Sequence, residues 1–113
     1  MIGETSFDVS AIKNGLSVSR PIGDKLAYDR ITEHNGVFKR VQIKSINTPS
    51  RGGFRCDIVR NRNAKYLKSD VDIFAVYIIP IDKWFIFDND GRKSAFFKVS
   101  NMKYENNWQK LKQ

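Results

Sequence analysis

Residues 40–44, Arg-Val-Gln-Ile-Lys, combine polar side chains with the alternation of a β-strand. Arg40, Gln42 and Lys44 would share one face of that strand, and the two apolar residues the other. A row of polar and cationic groups is costly to bury without partners, so an anion or a metal site is the natural partner. Asp29 lies thirteen residues before Gln42. An acid, a hairpin and then Gln-Ile-Lys could assemble a metal-dependent phosphodiesterase centre.

The chemistry of phosphodiester hydrolysis suits these residue types. It needs the phosphate charge neutralised, a nucleophilic water and a protonated leaving oxygen, and a hard cation such as Mg²⁺ (or Mn²⁺) would serve the first two needs. Asp29 would be its carboxylate ligand and the backbone carbonyl of Ile43 a further ligand. Lys44 would hold or deprotonate the water and offset the developing charge. Gln42 offers an amide oxygen without charge, and Glu4 is the candidate to add the missing charge.

A tight turn would place the acid. Asn35-Gly36 is the strongest short hairpin signal, because both positions take positive φ, and it would pair His34 with Val37. Stepping back along the two strands then sets Asp29 directly opposite Gln42, with the lysine one step further along the same face. A one-residue slip would separate them, and a bulge near the site would alter the register.

The elements that must position these residues are a helix followed by mostly antiparallel strands, which indicates an α+β or mixed α/β fold. A helix is predicted over 3–14, with a stop at Asn14-Gly15. Strands are predicted over 16–20, 26–33, 37–46, 54–60, 72–79, 81 or 83 to 88, and 95–99. The almost wholly apolar 72–79 should be a central strand buried on both faces. The basic stretch 61–70 is expected to be a long loop or a broken helix.

Composition bounds the class of protein. The 113 residues, 41% hydrophobic and 28% charged, predict one globular domain over residues 1–113. The net charge of +8 favours a polyanionic partner, most often nucleic acid, although a basic protein with nothing bound would have the same composition. No apolar run is long enough to span a bilayer, and the first residues lack the layout of a signal peptide. The single Cys56 cannot form an internal disulfide. Together these features predict an intracellular, cytoplasmic protein without a membrane partner.

The quoted residues together resemble the PD-(D/E)XK nuclease superfamily. The matching stretches are Glu4, Gly15 to Asp24, Tyr28-Asp29, Val41 to Lys44 and Asp70 to Tyr77. In particular, the chain is similar to the small branch that includes group I intron-encoded homing endonucleases of cyanobacterial type. It is more distantly similar to archaeal Holliday junction resolvases and type II restriction enzymes. The resemblance implies a restriction-endonuclease-like core, with an N-terminal helix, a mixed central β-sheet and a flanking helix.

The resemblance also implies roles for single residues. In the homing branch Gln commonly replaces the second acid, so Asp29 would be the metal-binding acid, Gln42 the D/E position and Lys44 the catalytic lysine. Glu4 matches the helical acid. Arg30 departs from the pattern, since an apolar residue usually follows the acid. The implied activity is a Mg²⁺-dependent endonuclease acting on duplex or branched DNA. A Holliday junction resolvase and a non-catalytic DNA-binding module on the same fold remain the alternatives.

Basic residues of the middle third are candidates to neutralise DNA phosphates. They are Arg40, Arg51, Arg55, Arg60, Arg62, Lys65 and Lys68. Each could equally be a solvated surface charge. The alternation of Arg55 with Phe54 and Cys56 could point it toward the face that carries the site. Because cutting both strands of a duplex needs two active sites, we expect a homodimer or a higher homo-oligomer.

Overall fold

The N-terminal helix and its stop form as the sequence predicts. The computed structural model describes residues 2–23, 25–61, 64–98 and 105–113. Helix α1 (Ile2–Lys13) is followed two residues later by Gly15, which takes φ +82°, a conformation that glycine adopts without a steric penalty. The backbone N–H of Leu16 donates to the carbonyl of Ala11 at 3.0 Å, which closes the helix in the expected left-handed cap.

Nine strands follow in the described part of the chain. They are β1 (Ser17–Ser19), β2 (Arg30–His34), β3 (Val37–Ile46), β4 (Gly53–Asp57), β5 (Val59–Asn61), β6 (Ala64–Lys65), β7 (Ile73–Ile78), β8 (Lys83–Asp88) and β9 (Ser94–Lys98). The central sheet has the order β1-β2-β3-β7-β8, with β3 and β7 parallel and all other neighbours antiparallel. The strands β4 and β9 form one separate ribbon, and β5 and β6 another. The fold is therefore the expected mixed α+β architecture with an N-terminal helix.

The sheet separates two apolar cores. On one side, Val41 and Ile43 of β3 pack with Phe7 of α1, and on the other side lie Phe74 and Val76 of β7. Five of the six residues of β7 are buried, which confirms a central strand covered on both faces. Because side chains alternate along a strand, Gln42 and Lys44 lie on the face opposite α1.

The flanking helix that the resemblance implied is short. In the described residues, the element beside α1 is a 3-10 helix, Trp108–Lys112, whose Trp108 and Leu111 are buried. The Trp108 ring lies 5.6 Å from Phe7 and 6.0 Å from Trp84, centroid to centroid. A second 3-10 helix, Ile79–Ile81, links β7 to β8. No helix of the described residues has the length and apolarity to cross a membrane.

Two sequence predictions differ from the structure between residues 54 and 70. The strand expected over 54–60 divides into β4 and β5, although the N–H of Ile58 still donates to the carbonyl of Lys93 at 2.7 Å and so continues the β4–β9 register by one pair. The stretch 61–70, expected to be a loop or a broken helix, contains β6 and a turn in which the Asp70 carboxylate accepts the N–H of Leu67 at 3.0 Å. Tyr66 anchors this segment in the core.

Candidate active site

The hairpin between the acid and the lysine has the predicted register. Asn35 and Gly36 take φ of 50° and 83°, and His34 pairs with Val37. The ladder runs back from there and ends where Arg30 pairs with Val41. The expected strand over 26–33 is thus shorter than predicted, and the residues before Arg30 are irregular.

Asp29 lies where this ladder breaks off. Its N–H donates to the carbonyl of Val41 at 2.9 Å, so Asp29 and Arg30 both oppose Val41, as in a β-bulge. The Asp29 carboxylate then accepts the backbone N–H of Ile43 at 3.0 Å, which a continued ladder would have given to a backbone carbonyl. The predicted ladder pair of Asp29 with Gln42 is therefore wrong in its backbone detail, although the acid does reach the Gln-Ile-Lys segment.

The N–H and the C=O of Ile43 both point toward Asp29. The N–H and C=O of one strand residue point to the same side, so the carbonyl of Ile43 is directed toward Asp29 rather than toward β7. An oxygen of the main chain and an oxygen of the carboxylate therefore lie at one edge of the sheet. This is the arrangement that a cation with oxygen ligands requires.

Glu4 approaches the same edge from the first turn of α1. Its Oε1 accepts a hydrogen bond from Nη1 of Arg30 at 3.0 Å, and the same Nη1 donates to the backbone carbonyl of Asp29 at 2.8 Å. Nε and Nη2 of Arg30 donate to the two carboxylate oxygens of Asp8 at 2.8 and 3.1 Å. Arg30, only 5% exposed, thus links the helical acid to the strand acid.

Sequence reasoning missed this role of Arg30 and Asp8. In the sequence, Arg30 stands out only as a departure from the family pattern. A signal was available: Glu4 and Asp8 are four residues apart, so they lie on one face of α1 and repel each other without a cation between them.

Gln42 and Lys44 lie on either side of Ile43 in β3, the residue whose N–H the Asp29 carboxylate accepts. The Lys44 ammonium lies 5.4 Å from the centroid of the Tyr66 ring, a cation–π distance that restrains a long side chain. Burial raises the pKa of the Asp29 carboxyl above its ordinary value, and the negative charge of Glu4 raises it further. The hydrogen bond from Ile43 and the charges of Arg30 and Lys44 oppose that rise. The pKa of Asp29 therefore depends directly on the charges of Glu4, Arg30 and Lys44.

A cavity of about 220 Å³ opens beside Glu4 and Asp29. It is lined by Glu4, Tyr28, Asp29 and Arg30, and by the loop residues Arg20, Pro21, Gly23 and Leu26. In the part of the chain that the structure describes, no three His, Cys, Asp or Glu side chains are grouped to hold a metal ion. The available donors are two carboxylates, a main-chain carbonyl and an amide, all oxygen. That set fits Mg²⁺ or Mn²⁺, which keep several water ligands, better than a soft metal.

Cys56 is not part of this chemistry. It is buried in the core, and burial raises the pKa of its thiol to about 11. A thiol that remains protonated at neutral pH is a poor nucleophile and a poor metal ligand. This agrees with a packing role.

The candidate DNA-binding cations lie in different environments. The Arg40 guanidinium bonds to both carboxylate oxygens of Asp72, at 3.0 and 2.9 Å, and also contacts the carbonyl of Ser69. It thus fixes the segment before β7 to β3. Arg60 lies 3.6 Å from the Asp70 carboxylate and donates to the carbonyl of Lys25 at 3.4 Å.

Arg55 does not have the orientation that the sequence suggested. It lies on the outer face of the β4–β9 ribbon, 3.3 Å from Asp57, because Phe54 and Cys56 occupy the inner face. The expectation that it points toward the site face is therefore wrong.

The remaining candidate cations lie in turns and in β6. Arg51 and Lys68 are exposed in turns, and Lys65 lies in β6. Two further residues singled out in the sequence, Arg62 and Asp24, lie outside the described residues.

Known proteins share the sequence family and the fold of this chain. The sequence matches the model of the PD-(D/E)XK endonuclease family over residues 2–112. The fold resembles that of a bacterial homing endonuclease, with a TM-score of 0.84, 22% identity, and coverage of 97% of this chain and 88% of that one. It also resembles Hjc, a Holliday junction resolvase from the archaeal hyperthermophile Archaeoglobus fulgidus, with a TM-score of 0.60, 11% identity, and coverage of 96% and 99%. Among curated proteins, none is significantly similar in sequence.

Proposed function

Because this chain belongs to the PD-(D/E)XK endonuclease family, we propose that it hydrolyses phosphodiester bonds in DNA with a divalent cation, Mg²⁺ or Mn²⁺. The observation that carries the proposal is the hydrogen bond of the Asp29 carboxylate to the Ile43 N–H, which sets the acid against the strand that carries Lys44. A half-buried carboxylate that takes the place of a backbone acceptor in a ladder supports a functional role for Asp29.

The cation would be held by oxygen ligands from two elements. Asp29 and the carbonyl of Ile43 would supply two of them, Glu4 the second charge, and Gln42 an uncharged amide oxygen beside them. When bound, the cation would neutralise the phosphate and make a coordinated water more acidic. With only two carboxylates, binding should be weaker than in a site that has an acid at position 42.

Lys44 is the protein side chain that would act directly on the attacking water and the phosphate. Its ammonium would orient the attacking water and offset the charge that develops on the phosphate. The Tyr66 ring limits where that ammonium lies. An alanine at position 44 would leave the acid and the fold in place while removing this positive charge.

DNA would be held by the basic surface of the chain. The net charge of +8 supports this, and Arg51, Arg60 and Lys68 are exposed cations of the described residues. We retain Arg40, Arg55, Arg62 and Lys65 as further candidate phosphate contacts. The protein would act as one domain in the cytoplasm. It would cut both strands as a homodimer or a higher homo-oligomer, since one active site cuts one strand.

Duplex DNA is the first candidate substrate, because the homing endonuclease is the more similar of the two solved structures, with a TM-score of 0.84 against 0.60. The comparison with the resolvase makes a four-way junction the second candidate. Equal amounts of linear duplex, supercoiled plasmid and immobile four-way junction, each incubated with Mg²⁺, Mn²⁺ or EDTA, separate the two. Cleavage confined to the junction would replace the first candidate with the second.

A non-catalytic DNA-binding role is the remaining rival. It predicts intact DNA affinity with no cleavage and no heat of Mn²⁺ binding. Calorimetry with Mn²⁺ on the wild type, together with a DNA-binding assay, therefore decides between an enzyme and a binding module.

A further inference from the structure

Arg30 is a buried cation that joins the two acids of the site. It lies 5% exposed at the start of β2, and its guanidinium makes four hydrogen bonds, to Glu4, to the carbonyl of Asp29 and twice to Asp8. A buried charge is tolerated only when it is paired and hydrogen-bonded, and Arg30 meets that condition fully. Its planar fork also contacts groups on two different elements at fixed angles, which a lysine could not do.

The four contacts are of two kinds. The bonds to Asp8, at 2.8 and 3.1 Å, are bidentate and fix the plane of the guanidinium against α1. The bonds of Nη1 to Glu4 and to the carbonyl of Asp29, at 3.0 and 2.8 Å, then join the helix to the acid-bearing edge of the sheet. Asp8 thus serves as the anchor, and Nη1 reaches the site.

Without the Arg30 guanidinium, the Glu4 side chain would not be expected to stay near Asp29. The carboxylates of Glu4, Asp8 and Asp29 repel one another, and a glutamate on the first turn of a helix has several rotamers that lead to solvent. Glu4 is the side chain from which the proposed metal site needs its second charge.

We propose that Arg30 is a positioning residue of the nuclease site, which holds Glu4 beside Asp29 before the cation arrives. This inference rests on the proposed function. Arg30 itself does not touch the cation or the DNA in this role. It acts through Glu4, with Asp8 fixing its orientation.

A positioning role and a purely electrostatic role of Arg30 predict opposite changes in metal affinity when Arg30 is removed. A positive charge beside a cation site repels the metal, so if Arg30 acted through charge alone, its removal would tighten metal binding. If it positions a ligand, its removal weakens metal binding, typically by about 10- to 100-fold for a partner of a metal ligand. The weakening should also disappear once Glu4 can no longer bind the metal.

The experiment is a double-mutant cycle read by Mn²⁺ calorimetry without DNA, which needs no catalytic turnover. Arg30→Met, Glu4→Gln and the double variant are compared with the wild type. Arg30→Lys serves as a second variant in case Arg30→Met fails to fold. Arg92→Met is the matched control, since Arg92 is also paired with an aspartate but does not line the cavity. Circular dichroism and thermal melting confirm that each variant is folded.

We expect Arg30→Met to weaken Mn²⁺ binding at least tenfold in the wild-type background and not at all in the Glu4→Gln background. Arg30→Lys should fall between the wild type and Arg30→Met, and Arg92→Met should match the wild type. Unchanged or tighter binding in Arg30→Met, or an equal weakening in both backgrounds, would overturn the positioning role while leaving the nuclease proposal intact. A wild type that binds no Mn²⁺ would overturn both.

Discussion

The carboxylate of Asp29 accepts the backbone N–H of Ile43 at 3.0 Å, in the place where a regular ladder would offer a backbone carbonyl. The acid is therefore attached to the middle of the Gln-Ile-Lys segment by a side chain rather than by strand pairing. The carbonyl of Ile43 points to the same side as its N–H, toward Asp29, and Asp29 also lines the cavity.

The first prediction concerns the titration of Asp29. Because burial and the nearby charge of Glu4 raise the pKa of its carboxyl, it should titrate above 3.8, the ordinary value for an aspartate. Binding of Mn²⁺ needs the ionised form, so affinity should be lost as the pH falls through this raised pKa. Carboxyl-carbon NMR of the metal-free protein measures the pKa, and Glu4→Gln should lower it.

Asp90 provides an internal control for that titration. The guanidinium of Arg92 holds the pKa of the Asp90 carboxyl at about 2, so this group should titrate well before Asp29 as the pH is raised from acid. A pKa of Asp29 at or below 3.8, or one that does not respond to Glu4→Gln, would contradict the close placement of the two acids.

The second prediction compares the effects of two aspartates, Asp29 and Asp72, on the free energy of unfolding. Since the pKa of Asp29 is raised in the folded protein, its ionised form costs stability at neutral pH; this cost shrinks as the pH falls below the raised pKa and disappears below the ordinary value. Asp29→Asn, which can still accept the Ile43 N–H, should raise the free energy of unfolding at pH 7.

Asp72 should behave in the opposite way. Its hydrogen bonds from Arg40 lower the pKa of its carboxyl, so the ionised form stabilises the fold at neutral pH. That contribution is lost as the pH falls through the lowered pKa. Asp72→Asn should lower the free energy of unfolding by about 1 kcal/mol, discounted because both partners are about one third exposed. Urea denaturation of the two variants at pH 7 gives both numbers. Changes of the same sign would refute the assignment of opposite pKa shifts.

The third prediction concerns the neutral residue of the site. Gln42→Glu places a carboxylate on the same strand face as Lys44 and next to the carbonyl of Ile43. A third negative charge should tighten Mn²⁺ binding by roughly tenfold, since affinity for hard cations rises with the number of carboxylate ligands. Calorimetry measures this. Gln42→Ala, which removes the amide without adding charge, is the control. An affinity that Gln42→Glu does not change would place Gln42 outside the metal site.

The fourth prediction concerns the DNA surface. Replacing Arg51, Arg60 and Lys68 together by alanine should weaken DNA binding at all sequences. The slope of log affinity against log salt should fall by about 1 for each DNA phosphate that the variant no longer neutralises. Anisotropy titrations in EDTA, from low to moderate salt, measure the slope without cleavage. Lys110→Ala is the control, because Lys110 is paired with Asp88 at 2.6 Å. Equal slopes in the triple variant and the wild type would show that these three residues do not neutralise DNA phosphates.

Local chemistry was sufficient to predict the parts of the site that depend on neighbouring residues. The Asn35-Gly36 turn, the bounds of β3, the helix stop at Gly15 and the burial of β7 follow from backbone preferences and from the alternation of side chains, and the structure has all four. These features are determined within a few residues of sequence.

The missed features depend on partners that are distant in sequence. Whether Asp29 pairs through its backbone or its side chain depends on the geometry at the end of a ladder, which no pattern of residue types records. The burial of Arg30 depends on Asp8, 22 residues earlier in the chain. In the sequence, the arginine after the candidate acid is only a departure from the family pattern, and its contacts with Glu4 and Asp8 form when α1 packs on the sheet.

Plasmid cleavage by matched site variants tests the central claim most directly. Supercoiled plasmid and four-way junction DNA are incubated with the wild type, Asp29→Asn, Lys44→Ala and Lys110→Ala, each with Mg²⁺ and with EDTA. We predict that the wild type and Lys110→Ala cleave only with Mg²⁺, and that Asp29→Asn and Lys44→Ala, although folded, are at least about 100-fold slower. Metal-dependent cleavage that survives both site substitutions would contradict the assignment of the active site.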